Sequence, residues 1–137
     1  MRIEMKKIIA AVGLVILASK TQAQAQAQAQ DFVAGEKVFQ QCRACHQVGV
    51  DAKNGVGPLL NGLFGRKSGM IAGYNYSDAN KKAGITWDES VFSEYIKDPR
   101  AKMPGTKMSY AGLKDERRIN DLIAFLKQYD ATGNKTQ

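Results

Sequence analysis

Both cysteines and the single histidine of this chain stand within five consecutive positions, Cys42-Arg43-Ala44-Cys45-His46. Three chemistries use such a string: a metal clip, a dithiol redox pair, and covalent attachment of haem c. A structural zinc site needs four ligands, usually Cys or His, and this chain owns three. A thioredoxin-like dithiol wants a strand before the CxxC and a helix starting at it. The preceding residues, DFVAGEKVFQQ, read instead as a helix, with Asp31 placed to cap it and Val33, Val38 and Phe39 at mixed helical spacings. No later run of β-branched residues supplies a sheet.

Haem attachment accounts for all three residues together. Each cysteine sulfur adds to one vinyl group, and two intervening residues match the spacing of two vinyls on one porphyrin edge. His46 then lies beside the second thioether, within reach of the iron. With no other histidine in the chain, the sixth position must hold a non-histidine ligand or water, or be empty. Methionine suits electron transfer, because a His/Met pair raises the reduction potential. Three methionines follow residue 30, at 70, 103 and 108. By composition alone, each is equally a flexible core filler.

The elements that must position these residues are helices and loops. The 137 residues suffice for one domain, not comfortably for two. Residues 1–30 read as an address. Arg2, Lys6 and Lys7 form a basic start, and Ile8 to Ala18 is an apolar run of signal-peptide length, too short to span a bilayer. The Gln/Ala tract at 21–30 has no apolar face and offers Ala-x-Ala-like cleavage positions. The domain expected after cleavage is 31–137; the competing reading is an uncleaved membrane tether. Without residues 1–30, the basic-to-acidic balance falls from 20 against 13 to 16 against 12. That excess of +4 suits acidic protein surfaces, and its scattered lysines form no nucleic-acid groove.

Within the domain, TWDESVFSEYIKDP predicts a helix capped by Thr86 with Glu89, with Val91, Tyr95 and Ile96 on one face and a stop near Pro99. A final helix is predicted from Lys114 to Tyr129, with Ile119, Leu122, Ile123 and Leu126 on its apolar stripe and Gly133 beyond its end. Between His46 and Tyr76 lie seven of the thirteen glycines, which predicts loop rather than helix or strand. So long a loop counts against a small domain unless it wraps something rigid. A haem supplies that surface, and the haem-free chain is expected to be largely unfolded.

GPLLNGLFGRKSG at 57–69, GYNYSDANKKAGITW at 73–87 and MPGTKMSYAGL at 103–113 resemble segments of class I c-type cytochromes. The resemblance is to the group of bacterial cytochrome c2 and mitochondrial cytochrome c, and it runs from Gly35 to about Gln128. It implies an all-α small cytochrome c fold, about four or five helices and long loops wrapped around one covalently attached haem c. It also implies Met108, in PGTKM, as the axial partner of His46, 62 positions away. The Pro58 carbonyl would accept the imidazole N–H and fix its tautomer. Arg66, Tyr76 and Trp87 stand where the family binds the haem propionates, with Ser77 and Thr106 as helpers. Buried carboxylates need such donors. Asn80 and Tyr95 match residues beside the methionine ligand, and Phe39 and Phe125 match the crossing of first and last helices.

The function so implied is a soluble periplasmic electron carrier and not an enzyme, cycling Fe(II)/Fe(III) with both axial positions filled. Its partners would be membrane-bound redox complexes and periplasmic redox proteins with acidic docking surfaces: a cytochrome bc-type donor, and a terminal oxidase, photosynthetic reaction centre or other reductase as acceptor. Neither nucleic acid nor a small-molecule substrate is implied, and the carrier would be a monomer. Lys37, Lys53, Arg100, Lys102, Lys107 and Lys114 can serve docking. Gln41, Gly55 and Asp115 stand where mitochondrial relatives are usually basic, so the ring is thinner here. The alternative function is a haem enzyme or gas sensor whose methionine loop opens.

Overall fold

Helix α1, residues 32–39, continues directly into a 3-10 turn, Gln40–Cys42. This is a computed structural model, and it describes residues 32–136. Asp31 and the expected signal segment lie outside the described residues. Four more helices follow: α2 Asp78–Lys82, α3 Glu89–Lys97, α4 Pro99–Lys102 and α5 Glu116–Lys127. Among the described residues there is no strand, only the isolated bridges Lys67 to Thr86 and Tyr129 to Lys135. The all-α expectation holds, and so does the helix leading into the CxxC.

The core is the crossing of α1 with α5. Phe39, Ile119, Leu122, Phe125 and Leu126 are almost fully buried. Each such side chain contributes on the order of 1.5–3 kcal/mol when removed from water. The Phe39 and Phe125 rings meet at 5.1 Å. Gly35 permits this approach, because a Cβ there would lie 2.0 Å from the Asp121 carbonyl oxygen.

Two helix ends differ from the sequence expectation. The N-cap of α3 is Asp88, whose carboxylate accepts from the Val91 N–H at 2.8 Å, so the Thr86 capping box is corrected. Thr86 is held extended by its bridge to Lys67, and Trp87 N–H donates to the Arg66 carbonyl at 2.9 Å. That pairing keeps residues 86 and 87 out of the helix. Helix α5 is two residues shorter at each end than predicted: Asp115 caps its start by accepting from Arg118 N–H at 2.9 Å, and at its end Gln128 N–H turns to the Phe125 carbonyl at 3.3 Å. Near Pro99 the chain stops and restarts. Asp98 ends α3, and its side chain accepts from Ala101 N–H to begin α4, with Pro99 at the first turn.

Residues 46–76 carry no α-helix and wrap one side of the domain. Short bonds hold this loop: Gly57 N–H to Cys45 O at 2.8 Å, and Leu60 N–H to Gln47 O at 2.9 Å. Asn54 ties its two halves, accepting from Leu59 N–H and donating to the Ala72 carbonyl, both at 3.0 Å.

Candidate metal centre

Helix α1 delivers the CxxCH string at its end. The Cys42 carbonyl accepts from Cys45 N–H at 3.1 Å and from His46 N–H at 2.9 Å, so the string is wound into a turn. Cys42, Cys45 and His46 all line one large cavity, which holds about 1320 Å³ of atom-free space including its open mouth. Burial, aided by the neighbouring Cys45, pushes the Cys42 thiol up to about 11. A redox dithiol needs the opposite shift, toward thiolate at neutral pH. The raised thiol does not favour the dithiol reading, and a helix rather than a strand precedes the CxxC.

His46 is set by a hydrogen bond between its Nδ1 and the Pro58 carbonyl oxygen, 2.7 Å apart. The carbonyl can only accept, so Nδ1 carries the proton and Nε2 keeps its lone pair. Burial holds the imidazole below its ordinary pKa; the Pro58 bond opposes this, and the Arg66 charge adds to it. A neutral imidazole is the metal-binding form. Gly57 makes room for the ring, since a Cβ there would meet His46 Cε1 at 2.4 Å. Sequence reasoning gave Gly57 no role beyond loop; its place directly before Pro58 was the available signal.

The three methionines separate cleanly. Met70 is exposed on the surface. Met103 is buried in the core and does not line the cavity of His46. Met108 does line it. Its sulfur accepts from the Tyr95 hydroxyl at 3.4 Å, and its N–H donates to Thr106 Oγ1 at 3.3 Å. Burial raises the Tyr95 phenol above its usual range, and the neighbouring Thr106 hydroxyl pulls it part of the way back.

Pro58, Arg66, Tyr76, Ser77, Asn80, Trp87 and Thr106 line the same cavity. Arg66 Nη1 donates to the Asn61 carbonyl at 2.9 Å, whereas its buried Nε has no partner. Burial lowers the Arg66 pKa. An orphaned guanidinium N–H on a cavity wall is a strong site for a carboxylate. Tyr76 accepts from Ile71 N–H at 3.3 Å, which leaves its hydroxyl proton to donate. Ser77 caps α2, accepting from Asn80 N–H at 3.1 Å, and the Asn80 side-chain oxygen is buried without a partner. Trp87 packs edge-on against Tyr95, ring centres 4.9 Å apart.

An apolar chamber with a CxxC turn at one edge, a lone-pair nitrogen and a thioether on its walls, and unmatched donors for carboxylates fits haem c. The chain matches the Cytochrome c family over residues 32–130. It belongs to the cytochrome c family. It is 58% identical over 123 residues to a cytochrome c2 of Blastochloris viridis, covering 90% of this chain and 94% of that protein. It is 60% identical over 104 residues to a cytochrome c-550 of Bradyrhizobium diazoefficiens, covering 76% of each. Among solved structures, cytochrome cH from Methylobacterium extorquens superposes with a TM-score of 0.67 at 47% identity, covering 71% of this chain and 97% of that one. This cytochrome is thus an electron-transfer haem protein of class I, with a covalently bound haem c for which Cys42 and Cys45 supply the CxxC spacing. Among the described residues, no helix is long and apolar enough to cross a membrane.

Proposed function

We propose that this cytochrome is a periplasmic carrier of single electrons and not an enzyme, with the haem held by Cys42 and Cys45 and ligated by His46 and Met108. One observation carries the reading: of the three candidate methionines, Met108 alone lines the cavity that Cys42, Cys45 and His46 enter. When bound, haem c supplies an iron that changes by one charge without making or breaking bonds to a substrate.

The chain's own residues do the rest. Pro58 orients His46 and holds its proton at Nδ1. Tyr95 donates to Met108, which would withdraw electron density from a metal-bound sulfur and favour the reduced iron. Arg66 and Tyr76 would receive the haem propionates, with Trp87 and Thr106 on the same cavity wall. The apolar wall of Phe39, Leu60, Leu63, Phe92, Ile96 and Leu122 excludes water and so limits reorganisation.

The export of this carrier rests on the sequence pattern of residues 1–30, removed to leave a domain of 31–137. Its donor is a cytochrome bc-type membrane complex. The acceptor is a terminal oxidase, a photosynthetic reaction centre or another reductase that presents an acidic surface to the basic residues of this chain, of which Lys107 lines the cavity. The carrier works as a monomer. Optical spectra of the exported protein, oxidised and reduced, test the ligands, and acid-acetone extraction tests the linkage. Haem retained by the chain, with the weak near-red ferric band of methionine ligation, is the expected result. Extractable haem or a high-spin ferric spectrum refutes it.

A further inference from the structure

The family match ends at residue 130, yet the chain beyond it is folded against the domain. Asp130 organises this tail. One carboxylate oxygen accepts from Thr132 N–H at 2.8 Å, Thr132 Oγ1 at 2.7 Å and Asn134 N–H at 3.0 Å, while Asp130 N–H donates to the Asn134 carbonyl. Thr136 N–H closes the turn onto the Gln128 carbonyl at 2.8 Å. The knot so formed lies against the loop that carries Pro58. Gly62 N–H donates to the Tyr129 carbonyl at 3.1 Å, and a Cβ on Gly62 would meet the backbone of Ala131 at 2.8 Å. A Cβ on Gly133 would lie 2.1 Å from the Gly49 carbonyl oxygen and 2.7 Å from Asn61 Nδ2.

Asn61 is where this contact reaches the site. It is 6% exposed and does not line the cavity. Its side chain accepts from Gly49 N–H and donates to Gly49 O, both at 2.9 Å, and its carbonyl accepts from Arg66 Nη1 at 2.9 Å. Three residues earlier, Pro58 holds His46. We infer that residues 131–136 are a strap, which clamps Asn61 and so positions both the His46 acceptor and Arg66. Gly133 and Asn61 are positioning residues; neither touches the haem. The inference rests on the proposed ligation by His46 and deepens it.

The physical ground is the stiffness of a loop that has little regular structure of its own. Loops open locally unless packing and hydrogen bonds hold them, and each bond lost shifts the open population several-fold. Without the strap, the Pro58 carbonyl samples more positions, and the imidazole follows it. Gly133 has no room for a side chain and sits at φ +86°, so Gly133→Val lifts the strap without touching the cavity.

The test compares the holoprotein with Gly133→Val and with a chain ending at Asp130. Backbone amide exchange is read at Gly49, Gly57 and Leu60, and the hyperfine-shifted ring protons of His46 are read in the ferric state. In both variants exchange at those amides accelerates about tenfold and the His46 signals move, while α3 and the methionine band stay as in the parent. Unchanged exchange and unchanged His46 signals overturn the strap. So does a variant in which α3 and α5 accelerate as much as the loop, because the tail is then only a general stabiliser. If the parent itself lacks the methionine band, the ligand assignment fails on its own, and loop exchange still decides whether the tail clamps the loop.

Discussion

At the scale of single residues, the site depends on a few atoms with no alternative partner. Met108 is the sharpest case, since Met70 is on the surface and Met103 is committed to the core. Replacing Met108 by Leu keeps the volume and removes the sulfur. The expected outcome is loss of the near-red ferric band and rapid cyanide binding at neutral pH, read by stopped-flow absorbance; slow binding as in the parent would mean another residue fills the sixth position. Tyr95→Phe removes only the hydroxyl that donates to Met108. It lowers the reduction potential and changes stability by roughly 1 kcal/mol or less, measured by voltammetry and denaturant unfolding.

Tyr76 and Tyr95 also set an alkaline limit. Burial raises both phenols above their unfolded values, so near pH 10 the unfolded chain releases protons that the folded chain retains. Stability from these groups is full below that pH and is lost as pH rises through the raised values. Urea midpoints of the reduced protein at pH 8, 10 and 11 should fall in that order, and the fall should shrink in a Tyr76→Phe, Tyr95→Phe double variant. Much of this scale was legible in advance, because Cys, His, Met, Arg and Tyr carry their chemistry in their names. Gly57 and Asn61 were not. Their roles are the absence of a side chain beside His46 and a pair of bonds to a glycine backbone, which no composition or spacing records.

At the scale of elements, capping and close approach govern the outcome. Sequence reasoning found α3 and α5 from their apolar stripes and Pro99, yet it gave the cap of α3 to Thr86. The competing pull was long-range: a bridge from Lys67, distant in sequence, holds Thr86 extended. Asp115→Ala removes the cap of α5 and should cost about 1 kcal/mol, seen as a lower urea midpoint with an unchanged slope. The loop around Met108 has its own restraints. Lys107 donates to the Asn75 carbonyl at 2.8 Å, Lys102 pairs with Glu94 at 3.1 Å, and the Tyr110 hydroxyl donates to Gln41 at 2.9 Å. At high pH one of these lysines is expected to replace Met108. A Lys102→Ala, Lys107→Ala double variant that kept its alkaline spectral transition unaltered would refute that exchange.

At the scale of the whole molecule, the charge excess and the cavity dominate. The positive balance should steer encounters with an acidic partner, so the association rate falls as salt rises past about 0.1 M, where screening reaches about 10 Å. A rate flat from 10 to about 300 mM salt would contradict that. The fold class was readable because helices announce themselves by period, but the long loop between α1 and α2 was readable only as something that must wrap a partner. Its course depends on contacts between residues far apart in sequence, such as Asn54 with Ala72 and Gly62 with Tyr129.

The cavity draws its walls from Phe39 near the first described helix to Leu126 near the end of the last. A chamber whose walls come from both α1 and α5 closes only when these two helices have come together. Cys42 and Cys45 line it. Both sulfurs are easiest to reach before those walls meet, so the geometry favours an order in which the cofactor is fixed to the chain first and the polypeptide closes around it second.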